Sequence, residues 1–374
     1  MSPLREDWQV LQGLFPAGWE ELGRSTGAIS RLRGFNSLGD LFRTLLLHVG
    51  CGWSLRETSV QANLAGIAAV SDVTLLNRLR QAEDWLRQLC QLLWKDNGVK
   101  LEPALKGCPV RLVDATVVKE PGKTGSQWRI HYSMRLPSLE CDHFDLTAVK
   151  GKNTGEKLGR FSFQAGELVL ADAGYSNPPG IAAVVGQGAD LCVRLNRSAL
   201  PLIDEKGRPF PLLKKIRTLR RAGETAEWRV WVRAGDKQIA GRLCGIRKSE
   251  DAAQRAQRKL EIKQQNGKAN DTPENREYAC YVLVFTTLPK HRATTHQVLE
   301  CYRLRWQIEL TFKRLKSIAQ LGHVPKQDDQ SSRAWLYGKL FVALVSQKLM
   351  RIGSAVSPWG YYLPVETSDT KSVA

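Results

Sequence analysis

Hydrophobic and polar positions divide the chain into a helical first quarter and a strand-rich remainder. Over residues 1–100 apolar side chains recur at helical spacing: Leu38, Leu41, Leu45 and Leu46 follow the helix-starting pair Asn36-Ser37. A second helix is expected from Ser54, where Ser54-Leu55-Arg56-Glu57 spells a capping box, its hydroxyl and carboxylate satisfying free amides of the first turn. A third is expected after Ser71-Asp72, with Val73, Leu76 and Leu79 continuing into Trp85, Leu86, Leu89, Leu92 and Leu93 on one apolar stripe. Capped helices joined by short turns fit a helix-turn-helix reader of DNA. A plain helical bundle fits the same pattern. The arginines within 24–43 and 78–87 are the candidates for DNA contact.

Near residue 108 the helical period is lost. Residues 110–118 (VRLVDATVV) are rich in Val, lie between Pro109 and Pro121, and read as a buried strand. Residues 127–136 alternate Trp128, Ile130, Tyr132, Met134 and Leu136, a half-buried strand, and 143–149 give a third, close enough for an antiparallel meander. A fourth strand, 167–176, ends in a Gly turn, and 181–196 read as helix, turn and strand. Residues 197–290 form a β-rich insertion, with strands at 227–235, 238–247 and 278–289 and a polar helix and loop within 248–277. From Ala293 to about Leu321 the pattern predicts one long helix, and from about Ser331 to Arg351 another, apolar along Leu336, Leu340, Leu344 and Leu349. The expected organisation is an N-terminal helical, DNA-binding domain over 1–105 and the first part of a catalytic core over 106–196. The insertion follows over 197–290, then helices completing the core over 291–352 and a flexible tail over 353–374.

Composition narrows the partners. Lys and Arg number 55 against 37 Asp and Glu, a formal net charge of +18, which fits a polyanion whose counterions basic side chains displace. The eight cysteines are dispersed without a C-x-x-C pair, and Cys141 and His143 lack two further ligands at zinc-like spacing. They read as reduced thiols of a cytosol-like compartment. The N-terminus has no signal-peptide pattern, and the longest apolar runs, such as 281–285, are strand-sized, so no membrane partner is expected.

Chemistry enters through acids in apolar runs. Asp114 stands within Leu112-Val113-Asp114-Ala115, and Asp172 ends Leu168-Val169-Leu170-Ala171-Asp172. A bare carboxylate in such a run must leave the core or meet a cation. An edge-strand or capping Asp is the plainer alternative for each. Strands followed by helix and strand, with an acid on the first strand and another ending a later one, follow the RNase H-like plan. On the long helix, Tyr302, Arg305, Glu309 and Lys316 are spaced 3, 4 and 7. At about 100° per residue they lie within roughly 60° of one another, presenting a phenol, a guanidinium, a carboxylate and an ammonium on one face. An ordinary solvated face with an i, i+4 ion pair is the alternative, although Trp306 and Leu310 lie close to that stripe.

Tyr302-x2-Arg305-x3-Glu309-x6-Lys316, preceded by the two Asp motifs in order, resembles the Tyr-Arg-Glu-Lys signature of bacterial insertion-sequence DDE transposases of the type-four family. The resemblance runs from about residue 36 to about 363 and is strongest over 110–195 and 278–345. It implies an α/β, RNase H-like core with a β-rich insertion, in which Asp114, Asp172 and Glu309 hold two Mg²⁺ (or Mn²⁺) ions and drive phosphoryl transfer. It also implies that Tyr302, Arg305 and Lys316 hold the phosphate of a cleaved DNA end. Related enzymes pass through a DNA hairpin with a base out of the stack. Trp306 matches a family aromatic that would hold it; Tyr281 stands where relatives often carry Trp, and a flipped-base role and core packing both remain open for it. The implied partners are double-stranded DNA, as terminal inverted repeats and as target, and a second copy of the chain, in the bacterial cytoplasm at the nucleoid. Family chains commonly continue past the equivalent of residue 374, so a shortened, inactive DNA-binding copy is one rival reading. Another RNase H-like nuclease, such as a resolvase, is a second, and the four-residue signature argues against it.

Overall fold

A computed structural model describes residues 4–29, 31–96, 108–119, 127–136, 141–265, 272–317, 324–325 and 328–356. In chain order the helices α1 (Leu4–Gln12), α2 (Trp19–Ser25), α3 (Leu38–Cys51), α4 (Leu55–Leu64), α5 (Asp72–Gln81) and α6 (Glu83–Asp96) come first. They are followed by β1 (Val110–Lys119), β2 (Gln127–Leu136), β3 (Cys141–Ala148), β4 (Leu168–Ala171), α7 (Pro178–Val185) and β5 (Asp190–Arg194). Then come β6 (Leu202–Ile203), α8 (Leu212–Ile216), β7 (Thr225–Ala234), β8 (Lys237–Arg247), α9 (Glu250–Gln265), α10 (Pro273–Ala279) and β9 (Tyr281–Thr286). The helices α11 (Thr295–Arg303), α12 (Trp306–Ser317) and α13 (Asp329–Val356) close the series. The chain divides into two compact units, Met1–Gly98 with Ile318–Ala374, and Val99–Ser317. The tail expected over 353–374 falls beyond the described residues from 357 onward.

In the helical unit, serine hydroxyls start three helices. Ser37, Ser54 and Ser71 accept from the amides of Asp40, Glu57 and Thr74 at 3.0, 3.1 and 3.2 Å. The core is aromatic: the Phe42 ring lies 5.2 Å from Phe15, 4.6 Å from Trp85 and 5.2 Å from Phe341. Phe341 belongs to α13, which packs here through the buried Leu336, Leu340 and Leu344 rather than with the sheet, where the sequence pattern grouped it. Ion pairs from Arg80 to Asp328 (2.9 Å) and from Arg333 to Glu83 (2.6 Å) fasten its start. The third helix of the sequence pattern is two helices, broken at Ala82. The buried face of α5 is Leu75 and Leu79, while Val73 is 64% exposed. Three arginines expected to contact DNA have partners within this unit: Arg78 is buried and donates to the Arg31 carbonyl, Arg80 holds Asp328, and Arg87 holds Asp84.

The second unit is built on one sheet of nine strands, ordered β3-β2-β1-β4-β5-β9-β8-β7-β6. The strands β1, β2 and β3 form the expected antiparallel meander, and β4 and β5 run parallel to β1. This is the RNase H-like order. The inserted strands do not make a separate sheet. Cys192↔Thr286 and Val193↔Phe285 pair β5 with β9, and β8, β7 and β6 follow antiparallel.

Both faces of β1 are covered from Val110 to Val113, as a strand with helices on its sheet requires. Val113 joins Val169, Ala171 and Leu191 in a core cluster with Ile181 and Val184 of α7. The pleat alternates, so Asp114 faces the other way. There α12 lies along β1 and β2: the Phe312 ring is 5.5 Å from that of Tyr132, and the Thr311 hydroxyl meets the Met134 sulfur at 3.6 Å. At the opposite end of β1, Arg111 pairs with Asp142 (3.0 Å) and Glu167 (3.6 Å), while Arg135 reaches the same Glu167 at 3.5 Å. Glu167 immediately precedes β4, so these pairs tie the entry of β4 to β1, β2 and β3.

The join between β8 and β9 depends on close approach at Gly241. A Cβ added there would lie 2.5 Å from the Phe285 ring and 2.9 Å from the Thr286 carbonyl oxygen. Gly241→Ala is expected to destabilise the protein by about 1–3 kcal/mol through overpacking, measured by thermal unfolding. An unchanged melting temperature would rule out this β8–β9 register.

Candidate active site

Parallel pairing of β1 with β4 puts the two aspartates side by side. The ladder ends at Val113↔Ala171, and Asp114 and Asp172 are the next residue on each strand. Neither plainer alternative fits: β1 is an interior strand, and Asp172, though at the start of the turn Ala173–Tyr175, accepts no capping hydrogen bond. Asp114 is 15% exposed, and its carboxylate accepts from the Ala115 amide at 2.8 Å. Burial, with the Asp172 and Glu156 charges adding to it, pushes its pKa up to about 7 despite that hydrogen bond and Arg305.

The signature residues come from two helices rather than one. The Leu304 and Arg305 amides bond to the Cys301 and Tyr302 carbonyls, three residues back, so the chain tightens between α11 and α12. Tyr302 ends α11, Arg305 stands in the turn, and Glu309 and Lys316 lie on α12. The sequence Leu304-Arg305-Trp306 holds no glycine or proline, so periodicity alone gives no sign of the break.

Arg305 brings these elements together. One guanidinium nitrogen lies 3.6 Å from Asp114 and the other 2.5 Å from Glu309, whose side chain is otherwise 52% exposed. Asp172 also acts on Arg305. Tyr302 is buried, its hydroxyl has no hydrogen-bond partner, and burial raises its pKa, with Arg305 opposing and Asp172 adding to the shift. Lys316 donates to the Val117 carbonyl at 3.1 Å, which anchors α12 to β1, and burial lowers its pKa.

Of the two aromatics, Trp306 is 49% exposed beside Arg305 and offers its ring. Tyr281 does not. It is 4% exposed within the core cluster, and its hydroxyl accepts from Arg247 at 3.1 Å, so core packing is its role in this structure.

The donor set suits an oxygen-preferring divalent ion. Asp114 and Asp172 repel, and a buried phenol hydroxyl stands without a partner beside them. Among the described residues no three acidic, histidine or cysteine side chains converge closely enough to hold a metal as they stand. The Arg305 guanidinium supplies the positive charge between Asp114 and Glu309 instead. Sequence reasoning missed Glu156, whose charge acts on Asp114 and which lies in a Gly- and Lys-rich connection rather than an apolar run.

Two interior carboxylates at adjacent strand ends, with a third acid brought to them by a helix, define an RNase H-like phosphoryl-transfer site. The family model described as the transposase DDE domain matches residues 145–345. The chain belongs to this family and is a DNA transposase. It is 31% identical over 363 residues to the putative transposase InsL for insertion sequence element IS186A of Escherichia coli strain K12, covering 94% of this chain and 96% of that one. It is 30% identical to the transposase for IS421 of Escherichia coli, with the same coverage, and 21% identical to that for IS231C of Bacillus thuringiensis subsp. berliner, covering 91% of this chain and 79% of the relative. Family members generally depend on divalent metal ions. Among the described residues no helix is long and apolar enough to cross a membrane.

Asp114 makes a testable demand on pH. Its folded pKa of about 7 exceeds the ordinary 3.8, so between those values the folded protein binds more protons than the unfolded chain. Stability must then fall as pH rises through that window. In EDTA, the melting temperature of Asp114→Asn relative to wild type is expected to climb from pH 4 to 7 and level off above. A difference that stays constant with pH would contradict the buried charge.

Proposed function

We propose that this enzyme cleaves DNA at the terminal inverted repeats of its insertion sequence and joins the ends to target DNA, with Asp114, Asp172 and Glu309 holding two Mg²⁺ or Mn²⁺ ions. The observation that supports this most is the Arg305 bridge, which draws an acid on the first strand and an acid on α12 to one cation beside Asp172. When bound, the ions would activate the attacking water or 3′-hydroxyl and stabilise the leaving oxygen. Around them the chain supplies position and charge. Arg305 exchanges its carboxylates for the phosphate of the cleaved end, which its planar fork can clamp at two oxygens. The Tyr302 hydroxyl, without a partner of its own, donates to the same phosphate. Lys316 contributes from the half-buried end of α12, where a phosphate replaces the Val117 carbonyl. Trp306 offers the ring on which an unstacked base rests. Two copies of the chain act on paired ends, and the surplus of basic residues holds the flanking duplex in the bacterial nucleoid.

The test is strand cleavage of a labelled duplex carrying the element's own ends, with Mg²⁺, by wild type and Glu309→Gln. Cleavage by the wild type is expected to fall more than about a hundredfold in the variant while DNA binding persists, a loss larger than for residues that merely support metal ligands. Binding without cleavage by either protein would show a DNA-binding copy that has lost its chemistry.

A further inference from the structure

We infer that Glu156 is a fourth carboxylate of this active site and shares in holding its divalent ions, its position secured by the bare backbone at Gly174. The inference rests on the reading of Asp114 and Asp172 as metal-holding residues. Glu156 lies between β3 and β4, just before the turn Leu158–Arg160. A Cβ built on Gly174 would sit 2.0 Å from Glu156 Oε2 and 3.2 Å from its carboxyl carbon. The carboxylate therefore occupies the space of the missing side chain, two residues past Asp172. Gly174 is not in the left-handed region, so space and not backbone conformation is what requires glycine there.

The Glu156 carboxylate is half-buried, and among the described residues it has no hydrogen-bond or ion-pair partner. The cation that acts on it most, Arg129, donates instead to the Thr154 carbonyl at 2.7 Å. Glu156 also feels Asp172, and its own charge acts on Asp114. A sheltered carboxylate beside two others, with no cation of its own, is costly unless positive charge enters among them. A second observation points the same way. The Tyr175 side chain is fully buried, its hydroxyl has no partner, and the anions that act on it are Asp114 and Glu156. Buried hydroxyls are rarely left unpaired, so a polar species belongs among these three side chains. A hydrated divalent ion meets the demands of carboxylates and phenol together.

The experiment is Mn²⁺ binding to the full chain without DNA, followed by electron paramagnetic resonance of the free ion. The proteins compared are wild type, Glu156→Gln, Gly174→Ala and Asp172→Asn, each also melted in EDTA. Glu156→Gln and Gly174→Ala are expected to weaken Mn²⁺ binding about tenfold. Gly174→Ala keeps the glutamate but pushes it off its seat, so it reports on position independently of charge. The EDTA melting temperature of Glu156→Gln is expected to hold or rise, since like-charge repulsion is removed. If Asp172→Asn loses Mn²⁺ while Glu156→Gln binds it like wild type, Glu156 is not part of the site. The same holds if Glu156→Gln only melts lower in EDTA. If Asp172→Asn also binds Mn²⁺ like wild type, the reading of the active site itself fails.

Discussion

A carboxylate set into an apolar strand is the constraint on which the second unit turns. Asp114 follows four covered positions of an interior strand, and its neighbour Val113 is committed to the core on the opposite face. The chain cannot move that charge outward without turning Val113 to the other face, because strand periodicity is two. Everything around it is arranged to make the position tolerable. The Ala115 amide and the Arg305 guanidinium offset part of the cost, while Asp172 and Glu156 add to it. The arrangement remains short of positive charge, the condition under which a site draws in divalent ions and phosphate together.

Arg305 shows how the protein accommodates this without DNA. Its guanidinium serves two acids from different elements, and being always protonated it does so at any ordinary pH. It also stands in the turn between α11 and α12, so the side chain that bridges the acids belongs to the segment that separates the two helices. At the far end of β1 the buried pairs of Arg111 and Arg135 with Asp142 and Glu167 fix the level at which β4 enters. That level decides whether Asp172 comes to rest beside Asp114.

Local pattern was enough to place the strands that carry Asp114 and Asp172, because Val-rich runs and strict alternation are properties of a few adjacent residues. It also found Ser37, Ser54 and Ser71 as helix starts, since a capping hydroxyl acts within three residues. What pattern missed depends on distant partners. Leu304-Arg305-Trp306 contains no breaker, so the interruption there arises from packing. Val73 and Leu75 are both apolar, and only the helices around α5 select Leu75 for the core. Tyr281 and Trp306 are both aromatics near a signature, and burial, which no local window reports, separates them. Glu156 is a lone acid among glycines and lysines, and only folding lays it against Gly174.

The inserted strands bear on how the molecule avoids unwanted association. Strands that formed a sheet of their own would bring two more rows of unpaired amides and carbonyls, each a template for another chain. By continuing from β5 through β9, they leave the assembly with only the two edges it must have, β3 and β6. The β6 edge is two residues long, and β3 carries Asp142 and Asp145 along its length. An enzyme that must bring copies of itself together on DNA thus offers little by which strands of neighbouring copies would zip together without it.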